Sequence, residues 1–259
     1  AAATTCGRKC LLAAGFLTSQ EPYHCRAMIS IVMPAHNEQG YLEPAVKAVL
    51  AGMRDRDAAF EVVIVENGSV DGTAAEAAVL AETFPEVRVL RSPVADYGKA
   101  LKSGFRAATG DVVVNFDVDL VDLGFLDAAL GVITSTDAAI VVGSKRSPGA
   151  EDQRSLGRRF ITAAFAAVLR VVFGLRISDT HGLKAMQRLP LVDLVERCQF
   201  GADIFDTELI LRAERAGLRV EEVPVVVREQ RAARTSILRR IPRALMGLGR
   251  LRLTLLWGR

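Results

Sequence analysis

Two aspartates one residue apart, Asp117 and Asp119, stand directly after the apolar run at residues 112–116. An apolar run of this length predicts a buried strand, so both carboxylates emerge where that strand ends. Hard divalent cations such as Mg²⁺ take oxygen ligands, usually one or two carboxylates together with substrate phosphates. The spacing therefore indicates a metal that holds a diphosphate. The alternative is a polar strand end that meets water.

Polar residues also follow two earlier apolar runs and one turn. Asn37 and Glu38 follow the first run and are suited to hydrogen bonds with a base or a ribose; the alternative for Asn37 is a helix N-cap. Glu66 and Gly68 follow the second run, where a glycine permits close backbone approach. Lys99 follows a glycine in a turn before a helix, a position from which a cation approaches a phosphate. These residues are candidates to bind a nucleotide.

The elements that must position these residues alternate along the chain. Short apolar runs predict strands at residues 29–33, 60–65, 87–90, 112–116 and 138–142. Helical spacing predicts helices at 41–51, 73–84, 99–108, 160–173 and 205–216, before a last strand at 219–227. Strands separated by helices of this length predict an α/β fold, a mostly parallel sheet with helices on both faces. In such sheets ligands bind at the carboxyl ends of the strands, where the polar residues fall.

The composition describes one folded domain with unevenly distributed charge. A chain of 259 residues with 50% apolar and 24% charged residues is long enough to bury one large core. A net charge of +3 is too small to predict a nucleic-acid partner. Residues 228–259, however, contain nine arginines and one glutamate, so this segment carries a charge of +8. That asymmetry predicts an anionic partner.

The two ends of the chain differ from its middle. No run reaches the ~18 uncharged apolar residues expected of a membrane span. Residues 244–257 have leucines at helical spacing with arginines among them, which is typical of a helix in a membrane interface or of an amphipathic helix on the protein's own core. We therefore divide the chain into a leader or appendage at residues 1–27, a main domain at 28–237 and a basic amphipathic segment at 238–259.

The amino-terminal residues contain neither a standard zinc-binding pattern nor a convincing signal peptide for export of the protein. Cys6, Cys10, His24 and Cys25 match none of the standard zinc spacings. Residues 8–17 resemble a signal peptide only faintly, because the apolar part is short and no small-residue cleavage site follows. We expect a cytoplasmic protein with reduced cysteines.

Four of these segments together resemble a known family. Pro34-Ala35-His36-Asn37-Glu38, residues 65–73, Gly98-Lys99 and Asp117-Val118-Asp119 occur in the order and spacing of inverting nucleotide-sugar glycosyltransferases with the GT-A fold. The resemblance covers roughly residues 28–237. It implies a GT-A fold in which Asp117 and Asp119 bind Mg²⁺ or Mn²⁺, which neutralises the leaving nucleoside diphosphate. The residues that it implies for the nucleotide are Pro34, Ala35, Asn37, Glu38, Glu66, Gly68, Lys99 and Asp117.

The second half of the chain is similar to a narrower group, the dolichol-phosphate mannose synthases and dolichyl-phosphate glucosyltransferases. The similar segments are residues 143–146, 154–159, 179–184, 205–208 and 222–224, followed by Arg231 and Ser236. The resemblance implies a hexose donor such as GDP-mannose or UDP-glucose and a polyprenyl monophosphate acceptor, with peripheral contact at the cytoplasmic face of a membrane. The residues that it implies for the acceptor phosphate are Lys145, Arg146, Arg158, Arg159, Arg231 and Ser236. The alternative for each arginine is a solvated surface charge.

Two acidic residues in the second half, Asp206 and Glu208, are catalytic candidates. A phosphate oxygen is already ionised at neutral pH and needs little help from a general base, so with a phosphate acceptor these carboxylates would position the sugar or the acceptor. With a hydroxyl acceptor, one of them would have to serve as the base.

The chain departs from the family pattern at several positions. His36 stands where an aromatic residue is common, and Glu66-Asn67 stands where two aspartates are common. Val121 replaces a glutamine that often adds a metal contact. Arg234 and Ile237 replace a glycine and a lysine near Ser236, which weakens the expectation of a polyprenyl acceptor more than that of glycosyl transfer.

Three other functions fit parts of the sequence. A GT-A transferase could use a hydroxyl acceptor such as glycerate, another sugar or a growing polysaccharide. A nucleotidyltransferase would usually carry a glycine-rich, basic loop after the first strand, which residues 34–40 lack. A basic membrane-binding module without activity is the third possibility, and the intact aspartate pair argues against it.

Overall fold

A computed structural model of the chain describes residues 27–56, 58–147, 149–152, 156–201, 204–227 and 237–257. The predicted leader lies outside these ranges apart from its last residue. The division of the chain into three segments stays a prediction.

Nine strands and eight helices lie within the described ranges. The strands are β1 (Ile29–Ala35), β2 (Phe60–Asn67), β3 (Val87–Ser92), β4 (Val112–Asn115), β5 (Ile140–Ser144), β6 (Glu151–Asp152), β7 (Lys184–Gln187), β8 (Val220–Pro224) and β9 (Val226–Val227). The helices are α1 (Leu42–Asp55), α2 (Thr73–Thr83), α3 (Tyr97–Ala107), α4 (Leu123–Thr136), α5 (Leu156–Phe173), α6 (Arg188–Arg197), α7 (Phe205–Arg215) and α8 (Ile237–Trp257).

Seven of the strands form one sheet in the order β3-β2-β1-β4-β7-β5-β8. Every pairing in it is parallel except those of β7, which runs antiparallel to both β4 and β5. The two-residue strands β6 and β9 form a separate parallel pair. The prediction of a mostly parallel sheet is therefore confirmed.

Helices cover both faces of this sheet, as predicted. Buried residues of α1, α2 and α4 pack on one face, and those of α3, α6 and α7 pack on the other. Strand β1 shows why both faces are covered, because every residue from Ile29 to Ala35 is buried. A parallel strand that is buried on both sides reads as a continuous apolar run, which is what the sequence contains here.

Four elements, namely β6, β7, α4 and α6, were not predicted. Strand β7 begins with Lys184 and ends with Gln187, so it lacks an apolar run. Helix α4 contains Gly124 and Gly131, both weak helix formers, and helix α6 has Pro190 in its first turn. The last predicted strand is divided into β8, which joins the main sheet, and β9, which pairs with β6.

A buried polar network ties the strands together at the edge of the sheet opposite the Asp117 pair. Glu61 Oε1 accepts hydrogen bonds from Ser30 Oγ over 2.6 Å and from the Thr109 backbone over 2.7 Å, and Glu61 Oε2 accepts one from Arg88 over 2.8 Å. Burial alone would raise the pKa of Glu61, but the bonds from Ser30 and Thr109 outweigh it and the pKa lies below its usual value. This network joins β1, β2 and β3 to the segment before β4.

The loop before β7 passes very close to β5. A side chain at Gly182 would place its Cβ 1.9 Å from the carbonyl oxygen of Gly143, and the Gly143 amide donates to the Leu183 carbonyl over 2.8 Å. Only a residue without a side chain fits there. This close approach holds residues 179–182 against the carboxyl end of β5.

We predict that Gly182→Ala destabilises the fold by about 2 kcal/mol, because a backbone must move to relieve the overlap. The matched control is Gly131→Ala in α4, where an added Cβ meets nothing within 4 Å. That change is expected to stabilise the helix by about 0.5–1 kcal/mol. Urea denaturation of both variants checks the pair, and equal midpoints would show that the Gly182 contact is looser than described.

Candidate functional site

The Asp117 pair lies in a tight turn directly after β4. The Leu120 amide donates to the Asp117 carbonyl over 2.9 Å, which closes the turn. Val118, between the two aspartates, is buried in the core, whereas Asp117 is half-buried and Asp119 is exposed. The buried valine therefore anchors the turn while the two carboxylates flank it.

Asp117 has two carboxylates near it, those of Asp119 and Asp206, and one cation, Lys184. Burial, together with the charges of Asp119 and Asp206, raises the pKa of the Asp117 carboxyl to about 6, against the hydrogen bond from Tyr97 and the charge of Lys184. The Tyr97 hydroxyl donates to Asp117 Oδ1 over 2.9 Å. A buried carboxyl whose pKa is raised by neighbouring carboxylates is a place where a cation is favourable.

The donor set fits a divalent cation that arrives with a substrate. Within the described ranges, no group of three or more His, Cys, Asp or Glu residues could hold a metal. Asp117 and Asp119 supply two carboxylates. Val121, at the position where the family often has a glutamine ligand, has no side-chain oxygen. Mg²⁺ is commonly bound by one or two carboxylates plus substrate phosphates and water, so the pair fits that mode and does not form an all-protein cage.

The loop after β1 is interlocked with the loop after β2. Asn37 has a left-handed backbone, with φ 55°. Its Oδ1 accepts a hydrogen bond from the Val70 amide over 2.9 Å, and its own amide donates to Ser69 Oγ over 3.1 Å. The Glu38 amide donates to Thr73 Oγ1 over 2.7 Å. The alternative of Asn37 as a helix N-cap is wrong, because α1 begins at Leu42 with Tyr41 as its cap residue.

Glu66 and Gly68 shape the second of these loops. Glu66 is buried, and its Oε1 accepts a hydrogen bond from the Ser69 amide over 2.6 Å. Gly68 has φ +63°, and a Cβ there would lie 2.9 Å from the Ala95 amide nitrogen. The group that closely approaches Gly68 is therefore the backbone at Ala95. Contacts of these residues with a nucleotide stay predictions.

The remaining nucleotide candidates lie at the same edge of the sheet. Pro34 and Ala35 are buried at the end of β1, so they shape the strand end and offer no polar side chain. Lys99 is in the first turn of α3, where its amide donates to the N-cap residue Asp96 over 3.0 Å. The Lys99 side chain is 70% exposed, with Nζ 3.9 Å from Asp96 Oδ2. Its ammonium group is thus accessible to a phosphate.

A buried lysine that the sequence analysis assigned no role lies in the middle of the site. Lys184, on β7, is 1% exposed; its Nζ donates to the Gly182 carbonyl over 2.8 Å and lies 3.0 Å from Asp206 Oδ1. Asn115 of β4 is its cross-strand partner. Lysine is almost never fully buried unless it is paired. The only sequence signal was its place in the segment 179–184 that carried the resemblance.

Three buried oxygens near Lys184 accept no hydrogen bond from the described residues. They are Asn115 Oδ1, Asp179 Oδ2 and Asp206 Oδ1. Lys184 lies at ion-pair distance from Asp206 Oδ1, but the angles are not those of a hydrogen bond. Buried acceptors without a donor are rare in folded proteins and often mark functional sites.

Of the two acidic candidates on α7, the geometry favours Asp206 for a role at the site. Asp206 is close enough to raise the pKa of Asp117. Glu208 is fully buried, and its Oε2 accepts hydrogen bonds from the Gln199 and Phe200 amides, both over 2.9 Å. Its Oε1 accepts a hydrogen bond from Arg212 over 2.8 Å. The Glu208 carboxylate is therefore engaged in holding the loop before α7.

The candidates for an acceptor phosphate are described only in part. Lys145 follows β5, and its Nζ lies 3.9 Å from Asp179 Oδ2. Burial alone would raise the pKa of Asp179, but the charge of Lys145 and other groups hold it below its usual value. Arg146 and Arg159 are exposed. Arg231, Ser236 and the side chain of Arg158 lie outside the described residues.

Two comparisons by sequence bear on this site. Residues 30–192 match the family described as Glycosyl transferase family 2. Glycosyltransferase AglD of Haloferax volcanii is 31% identical over 202 residues, which cover 76% of this chain and 32% of AglD. Dolichyl-phosphate beta-glucosyltransferase ALG5A of Trichomonas vaginalis is 28% identical over 211 residues, which cover 76% of this chain and 64% of that protein.

A further relative is the undecaprenyl-phosphate 4-deoxy-4-formamido-L-arabinose transferase of Sodalis glossinidius. It is 28% identical over 204 residues, which cover 78% of this chain and 60% of that protein. The chain thus spans between 32% and 64% of the length of these three relatives.

The fold is that of a solved GT-A enzyme. Glucosyl-3-phosphoglycerate synthase from Mycobacterium tuberculosis, in complex with Mn²⁺, UDP-glucose and phosphoglyceric acid, has a TM-score of 0.65 and 23% identity, with 88% of this chain and 81% of that chain covered. At this identity the likeness concerns the fold, and it confirms the predicted GT-A architecture. No helix among the described residues is long and apolar enough to cross a membrane.

We predict that Asp117→Asn stabilises the metal-free protein by about 1–3 kcal/mol near pH 7.5. The folded-state pKa of Asp117, about 6, lies above the ordinary value of 3.8, so its ionised form opposes folding. The gain should shrink as the pH falls below 6 and vanish below about pH 3, where the wild-type carboxyl is protonated in both the folded and the unfolded state. Urea denaturation with chelator at pH 7.5 and 4.5 measures this, and a loss of stability at pH 7.5 would contradict it.

Proposed function

The chain belongs to glycosyl transferase family 2, and we propose that it transfers a hexose from a nucleotide sugar to a polyprenyl phosphate, with inversion and with a divalent cation. The observation that carries this proposal is the Asp117–Asp119 pair, a half-buried, charge-rich turn at the carboxyl end of a parallel strand. Nucleotide sugars carry a diphosphate, and a carboxylate pair recognises it through a shared metal ion.

The donor would lie along the carboxyl edge of β1, β2 and β4. Asn37, Glu38 and Glu66 lie in the two interlocked loops where the nucleoside is expected. Hydrogen bonds join these segments, because Asn37 accepts from the Val70 amide and Thr73 accepts from the Glu38 amide. The exposed Lys99 at the start of α3 would approach a phosphate. UDP-glucose is bound in the complex of the structurally similar synthase, which supports a nucleotide sugar of this kind as the donor.

Asp117 and Asp119 would hold Mg²⁺ or Mn²⁺ when the donor binds. The cation supplies neutralisation of the charge that develops on the leaving nucleoside diphosphate. Mn²⁺ and Mg²⁺ both occur in complexes of the structurally similar synthase, which supports this assignment.

The acceptor phosphate would attack the anomeric carbon from the face opposite the leaving group, which inverts the anomer. Its oxygen is ionised at neutral pH, so the reaction does not require a strong base. Asp206 would orient the sugar or the acceptor, and the Lys184 ammonium, 3.0 Å away, holds Asp206 in place. Lys145, Arg146 and Arg159 would bind the acceptor phosphate; Arg158, Arg231 and Ser236 stay predictions for the same role.

A polyprenyl acceptor is supported by the surface of α5. Its exposed side chains Phe160, Ala164, Ala167 and Val171 follow helical spacing and form one apolar stripe. Phe160 is 74% exposed and Val171 85% exposed, and α5 contains no acidic residue. An apolar stripe with arginines beside it suits contact with a lipid tail and with an anionic membrane surface. Two of the relatives named above are dolichyl- and undecaprenyl-phosphate enzymes, which points the same way. Contact of this chain with the cytoplasmic face of a membrane stays a prediction.

The second candidate is transfer to a soluble acceptor. Phosphoglyceric acid is bound in the complex of the structurally similar synthase. With such a hydroxyl acceptor, Asp206 would have to act as the general base. The extracted product separates the two functions, because a polyprenyl product partitions into organic solvent and a glycerate or sugar product stays in water.

For the acceptor, we expect radiolabelled hexose to enter the organic phase when the protein is incubated with Mn²⁺, polyprenyl phosphate and either UDP-glucose or GDP-mannose. Val171→Glu should lower this transfer and the binding to anionic liposomes at least tenfold, because it places a charge in the apolar stripe. Val79→Glu is the matched control, since Val79 is 60% exposed on α2, on the other face of the sheet. Label found only in water would exclude the polyprenyl acceptor.

For the metal, we expect Mn²⁺ affinity in the presence of a nucleoside diphosphate to fall about tenfold for each pH unit below about 6, because protons compete for Asp117. Asp117→Asn and Asp119→Asn should each reduce transfer by more than 100-fold under saturating Mn²⁺, whereas Asp193→Asn on the exposed side of α6 should not. Mn²⁺ binding is followed by electron paramagnetic resonance. Unchanged transfer by Asp117→Asn would rule out the metal role.

A further inference from the structure

Tyr97 contacts the aspartate pair from a third element of the fold. It is the first residue of α3, and its hydroxyl donates to Oδ1 of Asp117 over 2.9 Å. We propose that Tyr97 is a positioning residue that fixes the Asp117 carboxylate for the metal ion. This inference rests on the proposed function, and it assigns a role that the aspartate pair alone does not predict.

The position of Tyr97 is itself fixed by the fold. Its ring packs against the core cluster between the sheet and helices α3, α6 and α7. The residue before it, Asp96, is the N-cap of α3 and accepts a hydrogen bond from the Lys99 amide over 3.0 Å. The Asp96 amide in turn donates to Oδ1 of the buried Asn67, at the end of β2, over 2.9 Å. The hydroxyl therefore reaches Asp117 from a helix end that is tied to the neighbouring strand.

The Tyr97 hydroxyl has a single proton to donate. A phenol has one O–H donor, and here that donor is directed to the Asp117 carboxylate over 2.9 Å. The contact therefore restrains the carboxylate from the side of α3.

The hydrogen bond restricts the orientation in which the Asp117 carboxylate would meet a cation. An unrestrained carboxylate turns freely about its last side-chain bond, because that torsion has broad minima. Donation to Oδ1 limits this rotation, so the carboxylate would be oriented before a metal ion binds. Groups that orient a metal-binding side chain in this way typically contribute 10- to 100-fold to metal affinity.

The orientation of the Asp117 carboxylate matters in this chain because few other ligands are present. Val121 offers no side-chain oxygen ligand, and Asp119 is exposed. Asp117 is thus the half-buried member of a two-carboxylate site. An error in its orientation would not be corrected by a third protein ligand among the described residues.

The test is the substitution Tyr97→Phe, which removes one oxygen and keeps the ring that packs against the core. Mn²⁺ titrations of the full chain, followed by electron paramagnetic resonance with UDP or GDP present, should show a dissociation constant at least tenfold higher than that of the wild type. The urea midpoint should remain close to that of the wild type. Tyr41→Phe, at a half-exposed tyrosine that caps α1, is the matched control and should bind Mn²⁺ as the wild type does.

The same substitution in the Asp117→Asn background separates positioning from a general effect. If Tyr97 acts through Asp117, its removal should not weaken the residual Mn²⁺ binding of that variant further. Equal Mn²⁺ affinities of the wild type and Tyr97→Phe would overturn this inference and leave the proposed function standing. A wild type that binds no Mn²⁺ with either nucleotide would overturn the metal role and this inference together.

Discussion

The buried Lys184 side chain is the interaction on which the arrangement of the site depends. It lies on the antiparallel strand β7, between the half of the sheet that carries the aspartate pair and the half that carries the basic loop after β5. Its contacts with Asp206 and the Gly182 carbonyl join the start of α7 to the segment that passes against Gly143. A buried ion pair of this kind contributes little net stability, since desolvation offsets the attraction. The ion pair instead fixes the geometry of the site, because it holds β7, the start of α7 and the loop at Gly182 around the Lys184 ammonium group.

The negative charge of the site exceeds what Lys184 balances. Burial raises the pKa of Asp117, and Asp119 and Asp206 lie close enough to Asp117 to add to that effect. A protein selected only for stability would not keep three carboxylates there. Such an imbalance is typical of sites that reserve a place for a cation or a developing charge, at some cost in stability. The opposite edge of the sheet shows the contrast, because Glu61 is fully satisfied and its pKa is lowered.

Much of the fold was predictable because the parallel strands are buried on both faces, and their sequences are therefore apolar runs that end in polar residues. The antiparallel β7 was missed because its first residue is the very lysine that the site requires. The aspartate pair was predictable from local spacing, whereas Tyr97 lies 20 residues from Asp117 and Lys184 lies 22 residues from Asp206, and only the tertiary structure brings them together. Glu208 is the opposite case, a residue that the sequence suggested for catalysis. Its carboxylate instead accepts hydrogen bonds from the loop before α7. Side-chain types indicate possible chemistry, but the fold decides which groups remain available.

The position of β7 also bears on how the chain reaches its native state. Strands β1, β2 and β3 pair through crossovers that separate partner residues by 25 to 31 positions, as in Val62 with Val87 and Ile29 with Phe60. Strand β4 pairs with β1 over 83 residues, Ile29 with Val112, and β7 pairs with β4 over 69 residues, Asn115 with Lys184. Such long-range closure is slow compared with local pairing. The aspartate turn and Lys184 both depend on such long-range pairings, so we expect the site to be completed only after β1, β2 and β3 have paired.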